Sequence, residues 1–183
     1  MISEFVHLHN HSDYSLLDGA QRVDQLINTI SDLNMDSVAL TEHGNMFSVL
    51  PYYNEAKKAG IKPIIGCEMY ISVGSRFDKK VLTSGGWGNN HLILLAKNFV
   101  GYKNLMKLVT AGYLEGFYYR PRVDIQLLRK YNEGLICLSG CLKGEIPEKM
   151  LKGDYKGAKE AAIRFSEIFE NRFYLEIQNH GTY

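Results

Sequence analysis

Short apolar segments alternate with amphipathic segments along most of this chain, and the alternation limits the folds open to it. Residues 23–33 carry apolar side chains at helical spacing, at Val23, Leu26, Ile27, Ile30 and Leu33. The segments 4–9 and 37–41, on either side of them, are short and fit strands. Strands that alternate with helices predict a parallel sheet with the helices packed outside it.

The rest of the chain continues in the same order. Helices are predicted over residues 49–59, ending at Gly60, and over residues 102–114, 124–131, 146–151 and 155–169. Strands are predicted over residues 61–73, 91–96, 135–138 and 173–177, and a loop or hairpin over residues 77–90. Six predicted strands favour an α/β barrel over an open sheet. In a parallel barrel the chemistry lies at the carboxyl ends of the strands.

Composition narrows the class of protein. With 183 residues, 45% hydrophobic and 22% charged, the chain suits one folded domain over residues 1–183. No apolar run approaches the ~20 residues of a membrane span, so no membrane partner is predicted. Three cysteines without framework spacing favour the reducing cytoplasm. The net charge of +1 gives no overall basic field, so any contact with nucleic acid must be local.

The densest local signal is the segment His7-Leu8-His9-Asn10-His11. Alternate residues of a strand point to one face, so the three imidazoles can converge there. Neutral imidazole is a common metal ligand, and half of the six histidines lie in these five residues. The alternative is a set of surface or core histidines. We favour a metal site.

Two further motifs carry carboxylates next to apolar strands. Thr41-Glu42-His43-Gly44 directly follows a predicted strand, and Gly44 allows a sharp turn there; the alternative is a helix-capping turn. Glu68 lies inside an otherwise apolar strand, where a carboxylate is costly unless it is paired or binds a cation. The alternative for Glu68 is a buried, hydrogen-bonded side chain, and its neighbour Cys67 is predicted to face the core.

Other candidate ligands are weaker when each is judged alone. Asp18 is typical of a turn residue or helix cap, and His91 begins a predicted strand instead of following one. Cys141 follows a strand and is either a small buried apolar residue or a thiolate ligand, which would favour zinc over magnesium. His180 is a further candidate near the carboxyl end.

Mixed imidazole, carboxylate and thiolate donors suit zinc, manganese or iron, and not calcium. More candidate donors are present than one tetrahedral ion needs, which favours two or three ions. Clustered ions typically clamp a phosphoryl group and activate water. The donor set therefore predicts hydrolysis of a phosphate ester.

The segment Tyr118-Tyr119-Arg120-Pro121-Arg122 interleaves aromatic and cationic side chains. Arg120 and Arg122 could hold phosphate oxygens while the tyrosines stack on bases. The alternative is a solvated loop whose aromatic rings pack into the core. Arg76 is a similar and weaker candidate for substrate binding.

The motifs resemble the PHP (polymerase and histidinol phosphatase) family. His9 and His11 match its His-x-His motif, where His7 replaces the usual preceding Asp. Thr41-Glu42-His43 matches the second motif, and Glu68 matches the strand carboxylate. Residues 5–12, 14–19, 60–68, 116–122, 139–141 and 174–181 are similar to the PHP domain that opens bacterial DNA polymerase III alpha subunits.

This resemblance implies a distorted, seven-stranded, TIM-like (β/α)7 barrel. It implies metal ligands at His9, His11, Asp18, His43, Glu68, His91 and Cys141. It assigns catalytic roles to Glu68, His43 and Asp18, and two or three zinc or manganese ions. The family also uses a late Asp-x-His pair that this sequence lacks, so the resemblance implies a chain that stops before the seventh strand.

The function implied is metal-dependent 3′–5′ exonuclease activity on a single-stranded DNA end, within a cytoplasmic replicative polymerase. The rest of the polymerase chain, whose own catalysis would use magnesium, is an implied partner. One alternative is a structural metal-binding module that stabilises the polymerase and docks a separate proofreading subunit. Another is a free-standing phosphatase acting on small monoesters.

Overall fold

The computed structural model describes residues 5–79 and 88–179, which form a mixed α/β fold of six helices and one six-stranded sheet. The helices are α1 (Val23–Asp32), α2 (Val49–Lys58), α3 (Phe99–Leu114), α4 (Ile125–Tyr131), α5 (Glu145–Leu151) and α6 (Tyr155–Ile168). The strands are β1 (Ser37–Leu40), β2 (Lys62–Ser72), β3 (Asn89–Ala96), β4 (Arg122–Val123), β5 (Leu135–Leu138) and β6 (Phe173–Tyr174). None of the described helices combines the length and the apolar character that crossing a membrane requires.

The long strand β2 organises the sheet, whose order is β1-β2-β3-β5-β6 with β4 also paired to β2. β1 runs parallel to the first part of β2, and β4 runs parallel to its end. The other edge of β2 pairs with β3 along residues 66–72. β1 and β4 therefore share one edge of β2, and the segment after β1 continues along that edge towards Glu68.

The predicted all-parallel sheet is wrong for one strand. β3 runs antiparallel to both of its neighbours, β2 and β5, whereas the β1–β2, β2–β4 and β5–β6 pairs are parallel. A parallel pair needs a crossover connection, usually a helix, and no described residue between β2 and β3 is helical. Part of the loop or hairpin predicted over residues 77–90 lies outside the described residues.

The strand predicted at residues 4–9 is not a strand among the described residues. The chain from residue 5 runs beside β1, but its carbonyls accept backbone hydrogen bonds only at His7, from Ala39, and at Asn10, from Thr41. The Asn10 amide also donates to the Ala39 carbonyl (3.1 Å), so side-chain bonding replaces a regular ladder. This irregular segment nevertheless places the predicted histidines beside the sheet.

Several predicted boundaries shift for local reasons. α3 begins at Phe99, earlier than predicted, because the Asn98 side chain caps it by accepting from the Gly101 amide. α4 has the predicted Asp124 cap, which accepts from the Leu127 amide at 3.0 Å. The two-residue β4 was not predicted, since so short a strand leaves no periodic signal.

Apolar side chains fill both faces of the sheet. The largest core cluster joins β2, β3 and β5 to α3, α4 and α6, and includes Leu94, Leu105 and Phe165. A second cluster packs α1 and α2 on β1. On the opposite face, Ile93 packs with Ala39, Leu95 and Leu138 in a smaller cluster. Glu68 is the register partner of Ile93 and lies on this less apolar face.

Candidate metal centre

Glu68 is the centre of the predicted site. Strand alternation sends its neighbours Cys67 and Met69 into the main core, as predicted for Cys67, and leaves Glu68 on the other face. The Glu68 side chain is only 1% exposed, and four imidazoles surround its carboxylate. A buried carboxylate is costly unless it is paired, and here the imidazoles compensate for the water that Glu68 has lost.

The two carboxylate oxygens divide the histidines into two pairs. Oε2 of Glu68 lies 2.6 Å from Nε2 of His9 and 3.3 Å from Nε2 of His11. Oε1 lies 3.1 Å from Nδ1 of His43 and also contacts Nδ1 of His91. Each pair forms with Glu68 a triad whose donor atoms lie within 4.8 Å of one another. One carboxylate is thus shared by two groups of possible metal ligands.

Strand direction explains how His91 reaches this centre. His91 stands near the start of β3, and its register partner is Tyr70, near the end of β2. Because β3 is antiparallel, its amino end meets the carboxyl ends of the parallel strands at the same edge of the sheet. The position of His91, which was unexplained by an all-parallel sheet, follows from this reversal.

The histidines of the first two motifs come from segments next to β1: His9 and His11 lie beside this strand, and His43 follows it. His43 follows β1, where Gly44 has the positive φ of 63° that the predicted sharp turn needs. Asn10, between His9 and His11, is anchored to Thr41, whose hydroxyl donates to the Asn10 carbonyl at 2.9 Å. These contacts fix both motifs against β1.

Asp18 and Cys141 complete the set. Oδ2 of Asp18 lies 2.9 Å from Nε2 of His43, so Asp18 joins the His43 side of the centre. Sγ of Cys141 lies 3.8 Å from Nδ1 of His91, and burial raises the pKa of its thiol. All seven predicted ligands line one cavity of about 710 Å³: His9, His11, Asp18, His43, Glu68, His91 and Cys141. The structure brings them together, and their service as ligands remains a prediction.

Comparison with known families decides the fold family. The sequence matches the PHP domain over residues 7–180. The chain belongs to the PHP domain family.

The relatives of this PHP domain include alpha subunits of DNA polymerase III, which are much longer chains. It is 54% identical over 179 residues to the DNA polymerase III subunit alpha of Borreliella burgdorferi, covering 98% of this chain and 16% of the relative. It is 48% identical to the corresponding subunit of Treponema pallidum, covering 97% of this chain and 15% of the relative. The chain thus spans about one sixth of the length of these relatives.

Among solved structures, an amidohydrolase from Chromobacterium violaceum, determined with bound sulfate and no metal, is 21% identical. The alignment covers 58% of this chain and 32% of that chain, with a TM-score of 0.42.

The charges in this PHP domain's centre follow from its contacts. Burial alone would raise the pKa of Glu68, but hydrogen bonds from the four histidines hold it well below its usual range. Burial opposes charge on His9, yet hydrogen bonds to Glu176 and Glu68 raise its pKa to about 9. The pKa of His43 is raised too, because contacts with Glu68 and Asp18 outweigh burial. A cation binding here would therefore displace protons.

The sequence analysis did not identify two side chains that contact the His9 ring, Glu176 and Gln178. Oε1 of Glu176 lies 2.7 Å from Nδ1 of His9, and the Gln178 amide contacts both of them. Glu176 follows β6, the last strand among the described residues, so a carboxylate just beyond a strand was the available signal. His7 is exposed and contacts the ring of Phe5 instead. The candidate His180 lies outside the described residues.

The donor set fits divalent cations. The described residues supply imidazole nitrogen, carboxylate oxygen and one thiol at the same cavity. Nδ1 of His11 and Oε2 of Glu176 are buried without hydrogen-bond partners there, although such atoms are costly to leave unpaired. Zinc or manganese would satisfy this mixture of donors better than calcium, which prefers oxygen alone.

The predicted substrate-binding arginines fall into two groups. Arg122 is 2% exposed, and its guanidinium donates to three backbone carbonyls at 2.8 to 3.1 Å. Arg76 forms ion pairs with Glu115 (2.7 Å) and Asp124 (2.9 Å). These contacts bind both guanidinium groups within the fold, so phosphate binding by Arg122 or Arg76 does not fit the structure.

Arg120 is placed differently. It donates a hydrogen bond to the Tyr70 hydroxyl, and its guanidinium carbon lies 4.8 Å from the centroid of the Tyr70 ring. The Tyr70 ring in turn packs against His43 and His91. Arg120 lines a cavity of about 540 Å³ together with Asp18, His43 and His91. Of the three arginines, Arg120 alone borders the candidate centre.

Proposed function

We propose that this PHP domain, spanning residues 1–183, is a metal-dependent phosphodiesterase of the 3′–5′ exonuclease type within a bacterial DNA polymerase III alpha subunit. The observation that carries the proposal is Glu68, whose two oxygens each face a separate pair of histidines. Shared carboxylates of this kind suit two neighbouring ions in phosphoryl-transfer sites. The relatives support the assignment to a polymerase, and the fold would be a distorted seven-stranded barrel.

The two triads divide the ligands of the proposed centre. His9, His11 and Glu68 would hold one zinc or manganese ion. Glu68, His43 and His91 would hold another, with Asp18 and Cys141 beside them. Such ions, when bound, supply positive charge that stabilises a phosphoryl group and acidifies water. Magnesium would serve the separate polymerase catalysis of the full-length subunit.

The protein's own acid–base groups are Asp18 and His43. Nε2 of His43 and Oδ2 of Asp18 lie 2.9 Å apart, and an imidazole that ligates an ion through one nitrogen keeps a proton on the other. This pair can hold a proton between its two members at the mouth of the cavity. It is the proposed proton carrier for phosphodiester cleavage, with Glu68 as the group that fixes His43 from the other side.

The cavity of about 540 Å³ beside the centre favours a single-stranded DNA end as the substrate. Arg120 and Lys143 supply cations at its wall, and Tyr14 and Tyr119 supply partly exposed rings. Arginine binds phosphate oxygens through charge-assisted hydrogen bonds, and aromatic rings stack on unpaired bases. DNA and the remainder of the polymerase chain would be the partners, in the cytoplasm.

The test is release of nucleotides from a single-stranded oligonucleotide by the purified protein, first stripped of metal and then titrated with zinc or manganese. We expect release from the 3′ end that depends on the added ion and is lost in Glu68→Gln. An oligonucleotide blocked at its 3′ end is the control and should remain intact. Metal binding without any nucleotide release would contradict the exonuclease proposal.

A structural role for the metal is the second candidate, because the centre joins segments that lie far apart in the sequence. His9 and His11 belong to the irregular segment beside β1, while His91 lies near the start of β3 and Cys141 follows β5. Ions held here would cross-link the segments and add stability. Such a module could support the polymerase and dock a separate proofreading subunit. Raised thermal stability with metal but no nuclease activity would favour it.

A further inference from the structure

Glu42 is a second buried carboxylate next to the centre, and the proposed chemistry leaves it without a role. It is 1% exposed and directly precedes His43. Its carboxylate accepts hydrogen bonds from the hydroxyls of Ser12, Ser15 and Ser48, the last at 2.9 Å, and from the Ser12 amide at 3.1 Å. Every one of these neighbours donates, which matches an ionised carboxylate that can only accept.

These bonds use the carboxylate fully. Oε1 of Glu42 accepts from the Ser12 and Ser48 hydroxyls, while Oε2 accepts from the Ser15 hydroxyl and the Ser12 amide. A buried charge is tolerated when hydrogen bonds replace its water, and here they do. Glu42 is therefore an anchor within the protein and does not offer a spare ligand to an ion.

Two of the three serines begin the loop that carries Asp18. The Ser15 carbonyl accepts from the amides of Asp18 (3.1 Å) and Gly19 (2.8 Å), which closes the loop in a tight turn. A Cβ atom at Gly19 would lie 1.7 Å from the Ser12 carbonyl oxygen, so the end of the turn packs directly on Ser12 and only glycine fits there. Fixing Ser12 and Ser15 thus fixes the position of Asp18.

Ser15 also links this loop to His43. Its hydroxyl donates to Glu42 and accepts from the His43 amide at 3.1 Å. Asp18 then reaches the His43 ring from the other end of the turn. The backbone of His43, the carboxylate of Glu42 and the turn before Asp18 form one continuous hydrogen-bonded unit.

We propose that Glu42 is a positioning residue for the His43 side of the centre. By binding Ser12 and Ser15, it holds Asp18 against His43, and binding of the ion served by His43 and His91 therefore depends on it. The inference rests on the proposed two-ion centre. The ion served by His9 and His11 should depend on Glu42 less, because Asn10 and Thr41 anchor that segment separately.

The test compares Glu42→Gln with the wild-type protein, loaded with manganese as the probe. Elemental analysis gives the stoichiometry, and electron paramagnetic resonance distinguishes an exchange-coupled pair from isolated ions. We expect coupled pairs in the wild type. In the variant we expect mainly isolated ions and affinity for the second ion lowered by about 10- to 100-fold, as when residues that orient ligands are changed. A merely structural Glu42 would lower the thermal midpoint without separating the two ions.

Ser15→Ala and Ser48→Ala form a matched pair of controls. Each removes one hydroxyl from the same carboxylate, but Ser15 belongs to the loop before Asp18 and Ser48 to the start of α2. We expect Ser15→Ala to reproduce the loss of coupling and Ser48→Ala to retain it. If Glu42→Gln does not fold, this pair decides the question alone.

Each outcome has a separate meaning. Unchanged coupling in both Glu42→Gln and Ser15→Ala, or equal loss in Ser15→Ala and Ser48→Ala, would overturn the role of Glu42. A wild-type protein that binds no manganese pair would instead overturn the proposed two-ion centre. The failures are thus distinguishable, because only the second is seen in the unaltered protein.

Discussion

Glu68 and Glu42 are equally buried carboxylates close to His43, and they differ in what surrounds them. Four imidazoles face Glu68, whereas three serine hydroxyls and a backbone amide face Glu42. Imidazoles can exchange a proton for a cation, but hydroxyl and amide donors fully paired with a carboxylate have nothing to give a cation. The partners, more than burial or charge, decide which carboxylate can take part in a metal centre.

Changing Glu68 should therefore have the largest effect. Glu68→Gln removes the anion shared by both triads, so we expect loss of both ions and of nuclease activity. In the metal-free protein the same change takes one carboxylate partner from His9, whose raised pKa of about 9 keeps it protonated at neutral pH, and breaking such a buried pair costs roughly 3–5 kcal/mol of the free energy of unfolding. Elemental analysis and urea unfolding at neutral pH measure the two effects. If Glu68→Gln retains the full number of bound ions, Glu68 is not a ligand of the centre.

A smaller effect is expected from one histidine of a single triad. His9→Ala should lower the affinity for one ion and leave the His43 side able to bind, because His9 contacts only one oxygen of Glu68. His7→Ala is the matched control, two residues away and exposed, and should bind both ions like the wild type. Metal titration followed by elemental analysis checks both variants. Equal losses in the two would contradict the division into triads.

The sequence alone pointed to those candidate ligands that stand out against the residues next to them in the chain. Glu68 stands out in an apolar strand, and the alternate spacing of His9 and His11 indicated a shared face, although their segment is not a regular strand. His91 could be placed only once the direction of β3 was known, because direction is a property of the sheet and not of the strand's sequence.

Burial and contacts between distant parts of the chain explain where the sequence-based predictions failed. Arg122 reads like a phosphate ligand, since no local pattern shows that its guanidinium is enclosed by carbonyls. Glu176 and His9 lie far apart in sequence, and their contact depends on β6 pairing beside β5. Tertiary packing, which local patterns do not encode, decides such positions.

Asp124 extends the comparison to a carboxylate paired with a permanent cation. Burial would raise its pKa, but hydrogen bonds from the Arg76 and Leu127 amides and the Arg76 guanidinium lower it. A depressed folded-state pKa adds stability above the unfolded value of about 3.9, and this is lost as pH falls through the folded value.

Asp124→Asn keeps the helix cap and removes the charge, so we expect a loss of about 1–2 kcal/mol at pH 7. The difference between variant and wild type should shrink as the pH is lowered towards and below the carboxylate's range. Urea unfolding across that range measures it, without added metal. A difference that does not change with pH would mean that the charge of Asp124 is irrelevant to stability.

The smallest predicted effect concerns Arg120, which borders the centre without belonging to either triad. Its guanidinium lies over the Tyr70 ring and donates to the Tyr70 hydroxyl. None of its described hydrogen bonds goes to a candidate metal ligand. Arg120→Gln should therefore bind metal normally and lose one phosphate contact. For single-stranded DNA, one such contact changes the slope of log affinity against log salt by about 0.7.

Fluorescence anisotropy with a labelled oligonucleotide at several salt concentrations gives the slope. Lys62→Gln, at the start of β2 and outside the residues lining this cavity, is the control for a general change in charge. If both variants alter the slope equally, the Arg120 contribution is only long-range charge, and the cavity beside the centre does not hold a phosphate.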